Sequence, residues 1–198
     1  MKTISLFFVS LLGLCTQSFA ASESFKVYEQ DYMFSKVFEM SSNEGLSGSV
    51  CKSFFRVRTN YDLYDRKGEF EAMGICRVLT LGLIYSWATE MDIYGQNGQY
   101  IGLVDGQMMT TAEAKFSLYD ASLNRIGIVY LDETFVSFTI VDPNNERHVL
   151  ASLKRNFIAD TVDNWDVNIY EKEAVDLRMI KIFAAFAVDT QKAFKADL

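Results

Sequence analysis

Histidine and proline each occur once in these 198 residues, cysteine three times and glycine eleven times. With His148 as the lone imidazole, the chain has little material for Ser-His-Asp or Cys-His catalysis, or for a histidine-rich metal site. Gly-x-Ser-x-Gly, a phosphate loop and Gly-x-Gly-x-x-Gly after a strand are all missing, so nucleotide-dependent chemistry has no carrier. The scarcity of proline and glycine excludes collagen-like and proline-rich architectures. No apolar run reaches the roughly 20 residues of a membrane-spanning helix, which excludes a polytopic membrane protein. Lysine and arginine total 19 against 26 acidic residues, for a formal net charge of -7, so no basic footprint marks a nucleic-acid partner. What remains is 49% hydrophobic and 14% aromatic, enough for one well-packed domain and too apolar for disorder.

The first twenty residues read as an export signal. Lys2 is a short positive n-region, Ile4 to Leu14 an apolar core, and Ser18-Phe19-Ala20 a small-x-small cleavage site, so cleavage is expected between Ala20 and Ala21. Residues 21–198 then form the mature single domain, exported to a periplasm or secreted, with no integral membrane span. A lipoprotein signal at Cys15 is disfavoured because Leu14 stands where a small residue is required. Removing Lys2 takes the formal charge from -7 to 18 minus 26, or -8. Only Cys51 and Cys76 are left for an oxidising compartment, so a single disulfide between them is expected, with two buried free thiols as the alternative.

From Phe25 to Tyr170 short β-branched and aromatic runs are broken by Gly, Asn and Asp, the pattern of an antiparallel β domain. The clearest hairpin joins Glu90–Tyr94 to Gln99–Leu103 through Gly95-Gln96-Asn97-Gly98, where Asn97-Gly98 can take the positive φ of a tight turn. Tyr61–Gly68 into Glu69–Ala72, Phe116–Asp120 into Arg125–Val129, and Phe138–Asn145 into His148–Ala151 repeat the form, and Trp165–Tyr170 begins it again. The spacing is irregular, so this is a meander of hairpins; closure into a barrel would remove its exposed edges. The C-terminal segment changes character. Asp176 can cap a helix over 176–195 in which Met179, Ile180, Ile182, Phe183, Ala184, Ala185, Phe186, Ala187 and Val188 are interrupted only by Lys181. Such a helix is apolar nearly all round, so it belongs inside protein or lipid, and its apolar part is about half a membrane's thickness. Burial inside the barrel is the expected answer.

The Tyr-Asp-x-Tyr-Asp-x-x-Gly hairpins, the tryptophan opening the strand Trp165–Tyr170 and the terminal Asp-x-Arg-x-x-x-x-x-Ala-Ala-Phe-Ala-x-Asp helix resemble the tubby C-terminal-like superfamily. Its LURP-one-related and phospholipid-scramblase-like branch is the most similar. The resemblance covers roughly residues 25–195 and implies a closed antiparallel barrel of about twelve strands around a buried hydrophobic C-terminal helix. It also implies a choice of functions, from phosphoinositide binding to action at membranes. The basic cluster of the tubby type has no counterpart longer than Lys154-Arg155, so no binding residue is carried over. An acidic chain would be repelled by an anionic bilayer.

The carboxylates are the abundant reactive groups, and Asp62, Asp65, Asp92, Asp120 and Asp142 recur near predicted turns. Paired acids can hydrolyse glycosides or bind calcium, but aspartate also favours turns because it accepts from nearby backbone N-H groups. His148 is expected in a surface turn. No catalytic, cofactor or metal residue is therefore nominated. The expectation is an exported, non-enzymatic binding or interaction module with an unknown protein or lipid partner. The alternatives are a membrane-associated lipid-binding or scramblase-like protein and, third, a carboxylate-based hydrolase.

Overall fold

The structure, a computed structural model, describes residues 21–78, 80–83, 88–106, 114–132, 136–156 and 164–196. The expected export signal, residues 1–20, lies outside the described residues. Twelve strands follow in order: β1 (Glu23–Tyr32), β2 (Ser35–Ser42), β3 (Gly45–Ser53), β4 (Asn60–Asp65), β5 (Phe70–Cys76), β6 (Glu90–Gly95), β7 (Tyr100–Gly106), β8 (Ala114–Asp120), β9 (Arg125–Leu131), β10 (Ser137–Asp142), β11 (Asn145–Asn156) and β12 (Asn164–Ile169). A short 3-10 turn, Leu81–Leu83, lies between β5 and β6, and helix α1 (Leu177–Ala196) ends the chain. Each strand pairs antiparallel with the next, and β1 pairs with β12, so the meander closes into a barrel with no free edge.

Alternation builds the wall. Phe38 and Met40 on β2, Val50 on β3, Leu63 on β4, Met91 and Ile93 on β6, Phe116 and Leu118 on β8, and Phe138 on β10 are all fully buried, while the residues between them face out. The helix fills the space they enclose. Met179 to Val188 is buried at ten consecutive positions, Lys181 included, which no helix lying on a surface achieves. Phe183 meets Phe116 and Phe138 edge-on at 5.4 and 5.7 Å, and Phe186 meets Phe116 and Tyr61 at 5.7 and 6.0 Å. Asp176 caps the helix as its sequence predicts, accepting from the Arg178 N-H at 2.9 Å. The wall also yields to the helix where it lacks side chains. A Cβ on Gly102 of β7 would lie 2.1 Å from the Tyr119 carbonyl oxygen and 2.7 Å from the Met179 methyl.

The up-and-down topology gives the barrel two different ends. At one end β2–β3, β4–β5, β6–β7, β8–β9 and β10–β11 are joined by tight turns, and the chain enters α1. The other end carries residues 33–34 and 54–59 and the described residues 77–78, 80–83 and 88–89, and receives the C-terminal half of α1.

The tight turns account for three of the five recurring aspartates, Asp65, Asp120 and Asp142. Asp65 accepts from the backbone of Lys67 and Glu69 at 2.8 Å each, and Asp120 from Ser122 and Asn124 at 2.8 Å each. Their carboxyls lie below the usual range, Asp65 chiefly through the Glu69 backbone bond and Asp120 chiefly through the Asn124 side chain. Asp142 accepts from Asn144. The 90–103 hairpin forms as expected, with one refinement: of Asn97-Gly98 only Gly98 has positive φ, 74°. Gly68 does the same at 80°, and the equivalent place after Asp120 is held by Leu123 at 62°.

The expected disulfide is not made: Cys51 and Cys76 are free thiols. Cys51 follows inward Val50 and so faces out, whereas Cys76 continues the inward series Ala72, Gly74 and packs against the core. Strand β4 separates their strands, which spaces them by about 10 Å, beyond the ~7 Å that a disulfide spans between Cα atoms. His148 lies on β11, past the predicted turn, with Glu171 at 3.4 Å and Asp142 at 3.8 Å.

Candidate functional site

With the interior occupied by α1, the features open to a ligand lie at the ends and on the outer wall. The end with the longer connections carries three of them within a few residues of one another. The first is a polar layer closing the apolar interior. Lys36 stands two residues before Phe38, Lys52 two after Val50 and Tyr61 two before Leu63, so all three continue inward-facing series. Register sets Lys36 opposite Lys52 and Lys52 opposite Tyr61. Two lysines side by side would repel each other. Asp189, immediately after the buried run of α1, resolves this: one carboxylate oxygen is 3.0 Å from Lys36 Nζ, and the other accepts from Lys52 Nζ at 2.5 Å and the Tyr61 hydroxyl at 2.7 Å. Lys36 also donates to Glu29 at 2.6 Å.

The Asp189 side chain is only 3% exposed. Burial alone would raise its pKa, but Lys52, Tyr61 and Lys36 outweigh that and hold it below the usual carboxylate value. The same burial, with Asp189 beside it, pushes the Tyr61 hydroxyl far up and keeps it a donor. Positive charge at this end also suits the partial negative charge of the helix C-terminus. The cluster pins the helix to β2, β3 and β4 at the mouth.

The second feature is apolar and exposed. Tyr32, Met33 and Phe34 form the β1–β2 tip, and Phe54, Phe55 and Val57 lie in the β3–β4 connection. Met33, Phe55 and Val57 are 83%, 75% and 98% exposed. The two tips are joined: the Phe34 and Phe55 rings are 5.2 Å apart, and the Phe54 N-H donates to the Phe34 carbonyl. Arg56 turns back from this patch to Asp62, 2.6 Å away. Large apolar side chains held together in water at a loop end are the kind of patch that marks contact surfaces in other proteins.

The third feature is a cleft of about 220 Å³ beside Val57, between the β3–β4 and β5–β6 connections and the last turns of α1. Tyr61, Cys76, Val78 and Phe186 give it apolar walls, and Lys52, Arg58 and Arg77 its cations, while no carboxylate lines it among the described residues. The cations differ in their commitments. Lys52 serves Asp189, and Arg77 donates twice to Asp92 at 2.8 Å and once to Glu90 at 2.5 Å. Arg58 has no carboxylate partner among the described residues. Burial pushes the Cys76 thiol up to about 12, so it lines the cleft as a neutral, weakly reactive group.

None of these features was nominated from the sequence. Lys36 and Lys52 lie at period-two positions inside apolar runs, and Asp189 ends an apolar helical stretch, which is a signal only if strand and helix are known to meet. The aspartates that were singled out do not converge on this cleft. Asp62 and Asp92 are on the outer wall with their own arginines, and Asp65, Asp120 and Asp142 serve turns at the opposite end. Among the described residues no group of three His, Cys, Asp or Glu side chains is placed to hold a metal ion.

No protein-family model matches the chain, and no curated protein matches it in sequence. Among solved structures it is similar to a protein from Arabidopsis thaliana, with a TM-score of 0.58 and 14% identity over 87% of this chain and 94% of that one. At that identity the likeness is one of fold, and fold does not carry function with it.

Proposed function

We propose that this chain is an exported, non-enzymatic binding module on a tubby-like, LURP-one-related barrel, and that it engages its partner through the end bearing the longer connections. The observation that carries this is the joined pair of exposed apolar tips, Met33-Phe34 and Phe55 with Val57. The helix leaves no room for a partner in the barrel interior, and the opposite end spends its polar side chains on its own turns. The leader-like first twenty residues support export, and the resemblance of the hairpins and terminal helix supports the family. A photocrosslinking residue placed at Phe55, in cells exporting the protein, should give a discrete adduct, while the same residue at Asn97 in a tight turn should give none. Equal adducts at both positions, or none at Phe55, would overturn the assignment of the binding end.

The same tips favour one second reading, a membrane-surface protein whose apolar side chains enter the interface of a bilayer. The acidic net charge points such a contact toward neutral lipid. Flotation with phosphatidylcholine vesicles tests it: co-migration that is lost in the Phe55→Ser, Val57→Ser variant supports this reading, and no co-migration at any lipid composition removes it.

A further inference from the structure

The cleft shares Val57 with the tips but has a chemistry of its own. It is apolar on one side and cationic on the other, and its positive groups are unequal. Arg77 is already held by two carboxylates, and Lys52 shares Asp189 with Lys36. Arg58 stands in the same lining with its charge uncommitted among the described residues. One free guanidinium matches one negative charge, and its planar fork matches the two oxygens of a carboxylate. A phosphate dianion would ask for a second free cation, which Arg77 and Lys52 do not supply. The size of the cleft narrows the choice further. A cavity of about 150 Å³ holds a benzene ring, and this one measures about 220 Å³, so it takes a ring or a short acyl chain together with its carboxylate. Val78 and the neutral Cys76 thiol, with the edges of the otherwise buried Tyr61 and Phe186 rings behind them, form the wall that would receive the apolar part.

We infer that this cleft is a binding site for a small organic monocarboxylate with a compact apolar body, its carboxylate on Arg58 and its ring or chain against Tyr61, Val78 and Phe186. The assignment is of binding alone, and it stands whether or not the tips dock to a partner.

Calorimetric titration of the whole protein with benzoate and hexanoate, against benzamide and hexanamide as neutral counterparts and inorganic phosphate as a dianion without an apolar body, tests the assignment. The acids should bind saturably and about tenfold or more tighter than the amides, the size expected of a charge-assisted pair. Arg58→Gln should lose that factor, whereas Arg66→Gln in a tight turn at the other end should not. Arg58 is exposed, so its loss leaves the fold intact. No saturable binding of either acid at millimolar concentration, equal affinity for acid and amide, unchanged affinity in Arg58→Gln, or phosphate binding tighter than benzoate would each overturn it.

Discussion

The two ends of this barrel are made by the same twelve strands and use their side chains in opposite ways. At the tight-turn end polar groups are consumed locally: Asp65 and Asp120 each accept from two backbone N-H groups of their own turn, and Gly68 and Gly98 supply the left-handed residue that a three-residue hairpin loop requires. At the other end the side chains reach across the fold. Asp189 of the helix joins lysines from two strands and a tyrosine from a third, while Phe34 and Phe55 pair with both rings exposed. Self-contained turns need no partner. The far end buries charge on its inner side and exposes hydrocarbon on its outer side, which is the reverse of what stability alone would select.

This contrast can be broken at several points. The largest effect is expected from Asp189→Asn, which leaves Lys36 and Lys52 adjacent without their shared counter-charge. Removing one member of a buried ion cluster costs about 3 kcal/mol here, since both lysines keep some access to water, and denaturant unfolding would measure it. That cost should vanish in acid. The folded-state pKa of Asp189 is depressed, so its contribution is complete above the ordinary carboxylate value of about 4 and is lost as pH falls through the depressed one. Wild type and Asp189→Asn should therefore unfold at the same denaturant concentration once pH is below that depressed value. A difference that persists there would mean the cost comes from packing.

A smaller change of opposite sign is expected at the tight-turn end. Leu123 adopts φ of 62° with its side chain 62% exposed, where the neighbouring hairpins have glycine. Leu123→Gly should stabilise the protein by about 1 kcal/mol by relieving the Cβ clash of the left-handed region. A loss of stability would show that the Leu123 side chain holds the turn by contacts its exposure does not reveal. Smallest of all should be the effect of Phe55→Ser with Val57→Ser, within about 0.5 kcal/mol of wild type, because these side chains bury little. Since the same pair is expected to abolish binding at the tips, the variant separates function from folding.

Much of the barrel was legible in the chain because each hairpin is local. Tyr64-Asp65-Arg66-Lys67-Gly68 and Tyr94-Gly95-Gln96-Asn97-Gly98 announce their turns through residues that satisfy or relax the backbone within a few positions. The helix was legible because nine apolar residues around a single lysine leave it no polar face to turn toward water. The end proposed to bind was not legible. Lys36, Lys52, Tyr61 and Asp189 are separated by up to 153 positions, and each taken alone is a polar residue next to an apolar run. The disulfide failed for the same reason, since strand-like surroundings for Cys51 and Cys76 say nothing about which side of the sheet each thiol faces.

The chain by itself determined the antiparallel hairpins, the acidic balance and a terminal helix that has to be buried, all consequences of local propensity and of hydrophobic burial summed along the sequence. Only the tertiary structure decided where charge and hydrocarbon meet. Closing β1 on β12 set a single register around the barrel, and that register, with the helix seated inside it, brought Asp189 between two lysines, turned Cys51 outward and Cys76 inward, and left Arg58 beside the cleft with no carboxylate partner among the described residues. Those placements depend on contacts between residues far apart in the chain, whose energies no local stretch of sequence contains.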